Sequence, residues 1–220
     1  MSAKPAVNIA YFSDILCVWA YFAQIKLDQV RREFGAQVEL RHHFISVFGD
    51  VGGKIEGGWK ERGGMEGYRR HVNQLAERFP HASIHPEVWK SSVPASSASS
   101  HLLLKAAQVL ESAGEISPQP LPEYDGNTPV EELIWRLRSA FFRDGRDVCS
   151  TGVQAEIAGE LGLPIGRLRS EMENGRAFAA LFADAELQKQ HLIQGSPTFL
   201  LNEGRQKLYG NVGYRIIRAN

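Results

Sequence analysis

The sequence predicts an α/β protein in which a small sheet, built from both ends of the chain, is interrupted by a large α-helical insertion. Three observations predict it. Two β-type segments, 7–12 and 37–44, flank an amphipathic helix near the start. Two more, 196–202 and 206–209, lie near the end. Between them the apolar residues recur at helical rather than alternating spacing. The expected division is a discontinuous sheet domain, residues 1–48 and 192–220, around an inserted loop and helical block, 49–191.

Taken in order, Val7 to Phe12 is mostly β-branched or aromatic, as a buried strand requires. Ser13 and Asp14 are turn or N-cap residues. From Trp19 to Phe34, Tyr21, Phe22, Ile25, Leu27, Val30 and Phe34 recur at helical spacing, opposite Lys26, Asp28, Gln29, Arg31 and Arg32. Gln37 to Phe44 then reads as a strand, and a strand, a helix and a strand imply a parallel pair. Glycines from Gly49 to Gly67 predict a loop carrying Lys54, Trp59, Lys60 and Arg62. It lacks the glycine patterns of a nucleotide cradle.

Helices are expected over 67–79, 96–113, 129–143, 153–161, 165–173 and 177–191, with a proline-rich link at 117–125. Ser196 to Asn202 and Gln206 to Tyr209 form a hairpin around Glu203-Gly204-Arg205. Gly210-Asn211 opens a last segment, 212–220, that reads as the beginning of a helix.

The 220 residues carry 25 basic and 25 acidic side chains, so charge gives no push towards nucleic acid. No run approaches the roughly 18–20 apolar residues of a membrane span. Met1 to Pro5 show no apolar segment of a secretory signal. Two cysteines far apart are not a disulfide framework, and a reducing cytoplasm is the expectation. The seven histidines show no metal-ligand spacing, and no metal is expected.

Cys17 sits where the first helix begins. Free backbone N–H groups and the positive helix end stabilise a thiolate there. Such thiols titrate at roughly 3.5–7.5, against about 8.5 for a free one. By local sequence alone, Cys17 is equally well a small core hydrophobe between Leu16 and Val18. Asp14 either caps the helix or, as a neighbouring carboxylate, raises the thiol pKa. Capping is the expectation.

The chain resembles the DsbA-like branch of the thioredoxin superfamily. Three segments carry the resemblance: Phe12-Ser13-Asp14 leading to Cys17-Val18-Trp19-Ala20, the run Ala140 to Val148 with Phe141-Phe142 and Gly145, and Gly195-Ser196-Pro197-Thr198-Phe199. This branch includes the DsbA-type thiol oxidoreductases, the 2-hydroxychromene-2-carboxylate isomerases and the kappa-class glutathione transferases. The resemblance implies a thioredoxin-like fold with a helical insertion, Cys17 as the reacting group, and a cis Pro197 facing it. It also implies glutathione, or a small thiol or disulfide, as the partner. Ser13, Trp19, Ser196 and Pro197 are the expected binding residues, with Gly210 and Asn211 at the γ-glutamyl end.

The chain departs from the family at two places. Ala20 stands where dithiol members carry a second cysteine, so a single-cysteine cycle is expected. Gly210-Asn211 replaces the Ser-Asp pair of the transferases, and a charged contact to the ligand is missing. Cys149 is read as an incidental or structural thiol rather than a resolving one. His42 and His43, adjacent on a strand, send side chains to opposite faces, so at most one meets the site. The expected activity is thiol oxidation–reduction through Cys17. A glutathione-dependent isomerase or transferase and a non-catalytic binding module are the alternatives, and the sequence leaves room for a homodimer.

Overall fold

The computed structural model describes residues 7–220. Met1 to Pro5, read above for a secretory signal, lie outside them. The sheet has the order β2-β1-β3-β4, with β1 at Val7–Ser13, β2 at Val38–Phe44, β3 at Thr198–Leu201 and β4 at Gln206–Tyr209. β1 and β2 are parallel, with Val7 opposite Val38 and Ser13 opposite Phe44. β3 runs antiparallel to β1 and β4. Helix α1, Val18–Phe34, makes the crossover between the parallel strands. The outer strands therefore come from both ends of the chain, as the sequence predicts.

Strand alternation sorts the core. Ile9 and Tyr11 of β1 turn towards Leu27 and Val30 of α1, with Phe199 and Leu201 from β3. Phe12 turns the other way, towards Ile45, Ile193 and Leu200. A larger apolar cluster joins the start of α1 to the insertion. The insertion's helices are α2 (Val51–Trp59), α3 (Gly64–Ala76), α4 (Ala98–Ser112) and α5 (Pro129–Phe142), followed by α6 (Thr151–Glu160), α7 (Ile165–Glu173) and α8 (Arg176–Gln190). Buried Asp184 of α8 fastens this layer to the sheet. Its carboxylate meets His43 Nδ1 at 2.8 Å, the Phe44 N–H at 2.7 Å and Lys105 Nζ at 3.0 Å.

The glycine-rich stretch is not all loop. Val51–Trp59 is helical despite Gly52, Gly53, Gly57 and Gly58. Glycine costs about 1 kcal/mol per residue in a helix, but two features offset it here. Val51 and Ile55, one turn apart, are both buried. Asp50 caps the helix by accepting from the Gly53 N–H at 2.9 Å. A side chain at Gly53 would crowd that carboxylate, which would have to shift. Asp50→Ala is expected to cost about 1 kcal/mol, read as a lower urea midpoint with unchanged slope. An unchanged midpoint would show that burial alone holds α2.

The last helix, α9 at Tyr214–Ala219, begins at an N-cap on Gly213. It starts three residues beyond Asn211 and is one and a half turns long. The helix start read at Gly210-Asn211 is thus displaced along the chain. None of the described helices is long and apolar enough to cross a membrane.

Candidate active site

Cys17 is the N-cap residue of α1, in extended conformation. β1 delivers the chain to this point, and Ser13 to Leu16 make the turn. Across a gap lies the Ser196–Pro197 peptide bond, which is cis. The Cys17 thiol donates to the Ser196 carbonyl oxygen at 3.2 Å. The Ser196 hydroxyl accepts from the Asp14 N–H at 2.9 Å. Two strand ends remote in sequence are thus stitched together around one sulfur.

Asp14 does not cap α1; no side chain does. One carboxylate oxygen accepts from the Leu16 N–H at 2.8 Å and closes the turn. The other accepts from the Phe48 N–H at 2.8 Å and the Ser97 hydroxyl at 2.9 Å. Its geometry is that of a hub joining the β1–α1 turn to β2's exit and to α4. Capping fails because the helix starts three residues later, at Cys17 itself.

The thiol is not acidic. Burial pushes the Cys17 pKa above the ordinary cysteine value, and the Asp14 charge adds to that. The Ser196 hydrogen bond and the N–H groups of Ala20 and Trp19 pull it down and lose. The helix-end effect is therefore present but outweighed, because only 5% of Cys17 is exposed. Cys149 is half-buried, with its sulfur 3.4 Å from the Ser100 hydroxyl, and both cysteines are free.

Ser13 is wholly buried, and its hydroxyl accepts from Arg138 Nη2 at 2.7 Å. Trp19 is partly buried, with its ring edge-on to Phe22 and Phe79. The Gly210 N–H donates to the Pro197 carbonyl at 2.8 Å, which brings Gly210 to the site. Asn211 is drawn aside, its backbone carbonyl accepting from Lys26 Nζ at 3.2 Å. His42 and His43 do part to opposite faces. His42 stands edge-on to Tyr11, whereas His43 stacks on Phe12 and pairs with Asp184.

Two supporting residues escaped the sequence reading. His101 of α4 is fully buried, and its Nε2 accepts from the Ile15 N–H at 3.1 Å, 3.7 Å from the Asp14 carboxylate. That bond fixes the proton on Nδ1, and burial holds the ring below the usual histidine range. Arg138 of α5 is wholly buried beneath Ser13, with Nη1 3.4 Å from Gln24 Oε1. Both were legible as polar residues on apolar faces: Arg138 falls in step with Ile134, Leu137 and Phe141.

This architecture is a thioredoxin-like fold with a helical insertion. Known structures share it closely at low identity. A structure from Nitrosomonas europaea, provisionally described as a protein disulfide isomerase, is 14% identical with a TM-score of 0.72, over 97% of this chain and 94% of the other. The cytosolic disulfide reductase DsbM from Pseudomonas aeruginosa, also solved with GSH, is 20% identical with a TM-score of 0.64, over 92% and 89%. A provisionally assigned DsbA oxidoreductase from Streptomyces coelicolor is 17% identical with a TM-score of 0.70, over 97% and 87%. No family model matches the sequence, and no curated protein does.

Proposed function

We propose that the chain is a thiol oxidoreductase that works through Cys17 alone, with glutathione as its co-substrate, in a reducing cytoplasm. The observation that carries the reading is the Cys17 thiol at the start of α1, 3.2 Å from the Ser196 carbonyl. A disulfide sulfur reaching Cys17 would arrive between the helix end and that carbonyl. The thiol first loses its proton to solvent. The thiolate then attacks one disulfide sulfur, forming a mixed disulfide and expelling the other sulfur as a thiolate. A glutathione thiolate then attacks the substrate sulfur of the mixed disulfide and regenerates Cys17. The substrate fragment leaves joined to glutathione.

The near-closure of Cys17 favours small disulfides over protein ones. Ser196 presents backbone to an extended ligand, Pro197 keeps a donor out of the site, and Trp19 walls the approach. Gly210 lies next to Pro197, and Lys26, held at Asn211, offers a cation to a glutathione carboxylate. Ser13 serves from beneath, through Arg138, rather than by touching ligand.

One observation favours a second reading. The thiol is a hydrogen-bond donor with a raised pKa. A protonated group there can orient a glutathione sulfur without bonding to it, as a glutathione-dependent isomerase or transferase requires.

The two readings separate in one experiment. After incubation with oxidised glutathione, mass spectrometry should find one glutathione on Cys17 and none in Cys17→Ser. Iodoacetamide alkylation of Cys17 should climb about tenfold per pH unit without levelling below pH 8.5. Absence of the adduct across that pH range would sink the redox reading. Turnover of an electrophilic glutathione acceptor that survives Cys17→Ser would establish the second.

A further inference from the structure

β2 is an outer strand, and a cleft of about 1190 Å³ runs along its free edge. The C-terminal part of α1, α4 and the segment leading into α5 form the other walls. Leu40 pairs with Ile9, four residues before Ser13 on β1. At about 3.3 Å per residue, the cleft centre lies roughly 13 Å down the sheet from the thiol site.

Three features of the cleft point to a ligand. The first is the strand edge. Even-numbered residues of β2 turn their backbone outwards: the Phe44 N–H is taken by Asp184 and the His42 carbonyl by Gln108. By the same alternation, the N–H and C=O of Leu40 and the N–H of His42 face the cleft. Among the described residues no side chain bonds to them.

The second feature is a set of unpartnered buried atoms. His42 is 7% exposed, and neither ring nitrogen has a partner. Its Nε2 stops 3.9 Å from a Glu131 carboxylate oxygen, beyond hydrogen-bond reach. Glu111 Oε1 is likewise buried without a partner.

The third feature is charge. The cations lining the cleft are already paired: Arg31 with Glu131, Arg41 with Glu39, and Lys105 with Asp184. Glu111 is the lining acid left over. Burial pushes its carboxyl up to about 7 against a Thr128 hydrogen bond that lowers it, and a cation beside it would lower it further. Leu27, Val30, Val109 and Val130 give the walls an apolar body.

We infer that this cleft binds an extended peptide bearing a basic side chain, which joins the sheet as a further strand beside β2. Main-chain hydrogen bonds to Leu40 and His42 hold the peptide. The basic side chain meets Glu111 and completes its pairing. The site is separate from Cys17, so the inference and the thiol reading stand or fall independently.

The test uses fluorescent, end-blocked pentapeptides and anisotropy on the intact protein. The basic peptide Val-Arg-Val-Arg-Val should bind at least tenfold more tightly than Val-Glu-Val-Glu-Val. Methylating alternate backbone amides of the basic peptide should weaken it tenfold or more. Glu111→Gln should weaken it to a similar degree, with circular dichroism confirming the fold. Equal binding of the acidic peptide, or undiminished binding after methylation, would overturn the inference. So would competition by arginine amide at the same concentration as the peptide, which would make this a site for a small cation. Should Glu111→Gln misfold, the methylated peptide against the unaltered protein still decides.

Discussion

Arg138→Met should lower stability by about 3 kcal/mol, the range for removing one member of a buried charge system, and slow alkylation of Cys17 at pH 8 several-fold. Arg138 is wholly buried, and burial pushes it below the usual arginine range. A guanidinium stays in such a place when negative charge nearby repays its lost hydration. Here that charge comes from Asp14, and Cys17 adds to it once the thiolate forms. The attraction is mutual, so removing the cation makes the thiolate harder to form. Met fills a similar volume but orphans the Ser13 hydroxyl. Arg138→Lys separates charge from geometry, because it keeps the cation and loses the fork. Near-normal alkylation with lowered stability in that variant would assign the effect to charge. An alkylation rate in Arg138→Met equal to the unaltered protein's would show that Arg138 is only a structural support.

The part of this arrangement that is local in sequence could be read from it. The strand, turn and helix around Cys17 follow from residue type and spacing over some twenty positions. So does the parallel partner β2, and so does the hairpin of β3 and β4 around its glycine. Helix α2 was misread because its glycines argue locally against a helix. The cap from Asp50 and the burial of Val51 and Ile55 are supplied by context. The sign of the Cys17 shift is hidden from the sequence for a related reason. The helix end that lowers the pKa is local. The covering that raises it is brought by packing between α1 and an insertion whose residues are 34 to 160 positions away. Asp14 shows the same division: its acidity is visible in the sequence, whereas Phe48 and Ser97 as its partners are not.

Asp14→Asn should pull stability and reactivity in opposite directions. The carboxylate accepts three hydrogen bonds, two from backbone N–H groups. An amide can accept at one end only, and its NH₂ then faces a donor. One buried donor left unmet costs roughly 1–3 kcal/mol, and Asp14→Ala, which leaves both N–H groups unmet, should cost about 3–5 kcal/mol. The same change removes a charge that raises the Cys17 pKa. Alkylation of Cys17 in Asp14→Asn should therefore be several-fold faster at pH 8. The pH dependence of stability follows with a definite sign. A thiol whose folded pKa is raised keeps its proton in the native state while the unfolded chain loses it, above about pH 8.5. Stability conferred by Cys17 is full below that pH and falls as pH rises towards the folded value. Urea midpoints at pH 7 and 9.5 should show a smaller alkaline loss in Asp14→Asn, and a smaller one again in Cys17→Ser. Arg138→Met lowers stability and reactivity together, whereas Asp14→Asn trades one for the other, so the pair tests whether charge beneath the turn sets the thiol. Slower alkylation in Asp14→Asn would mean that the turn's geometry governs Cys17, and the electrostatic account would fail.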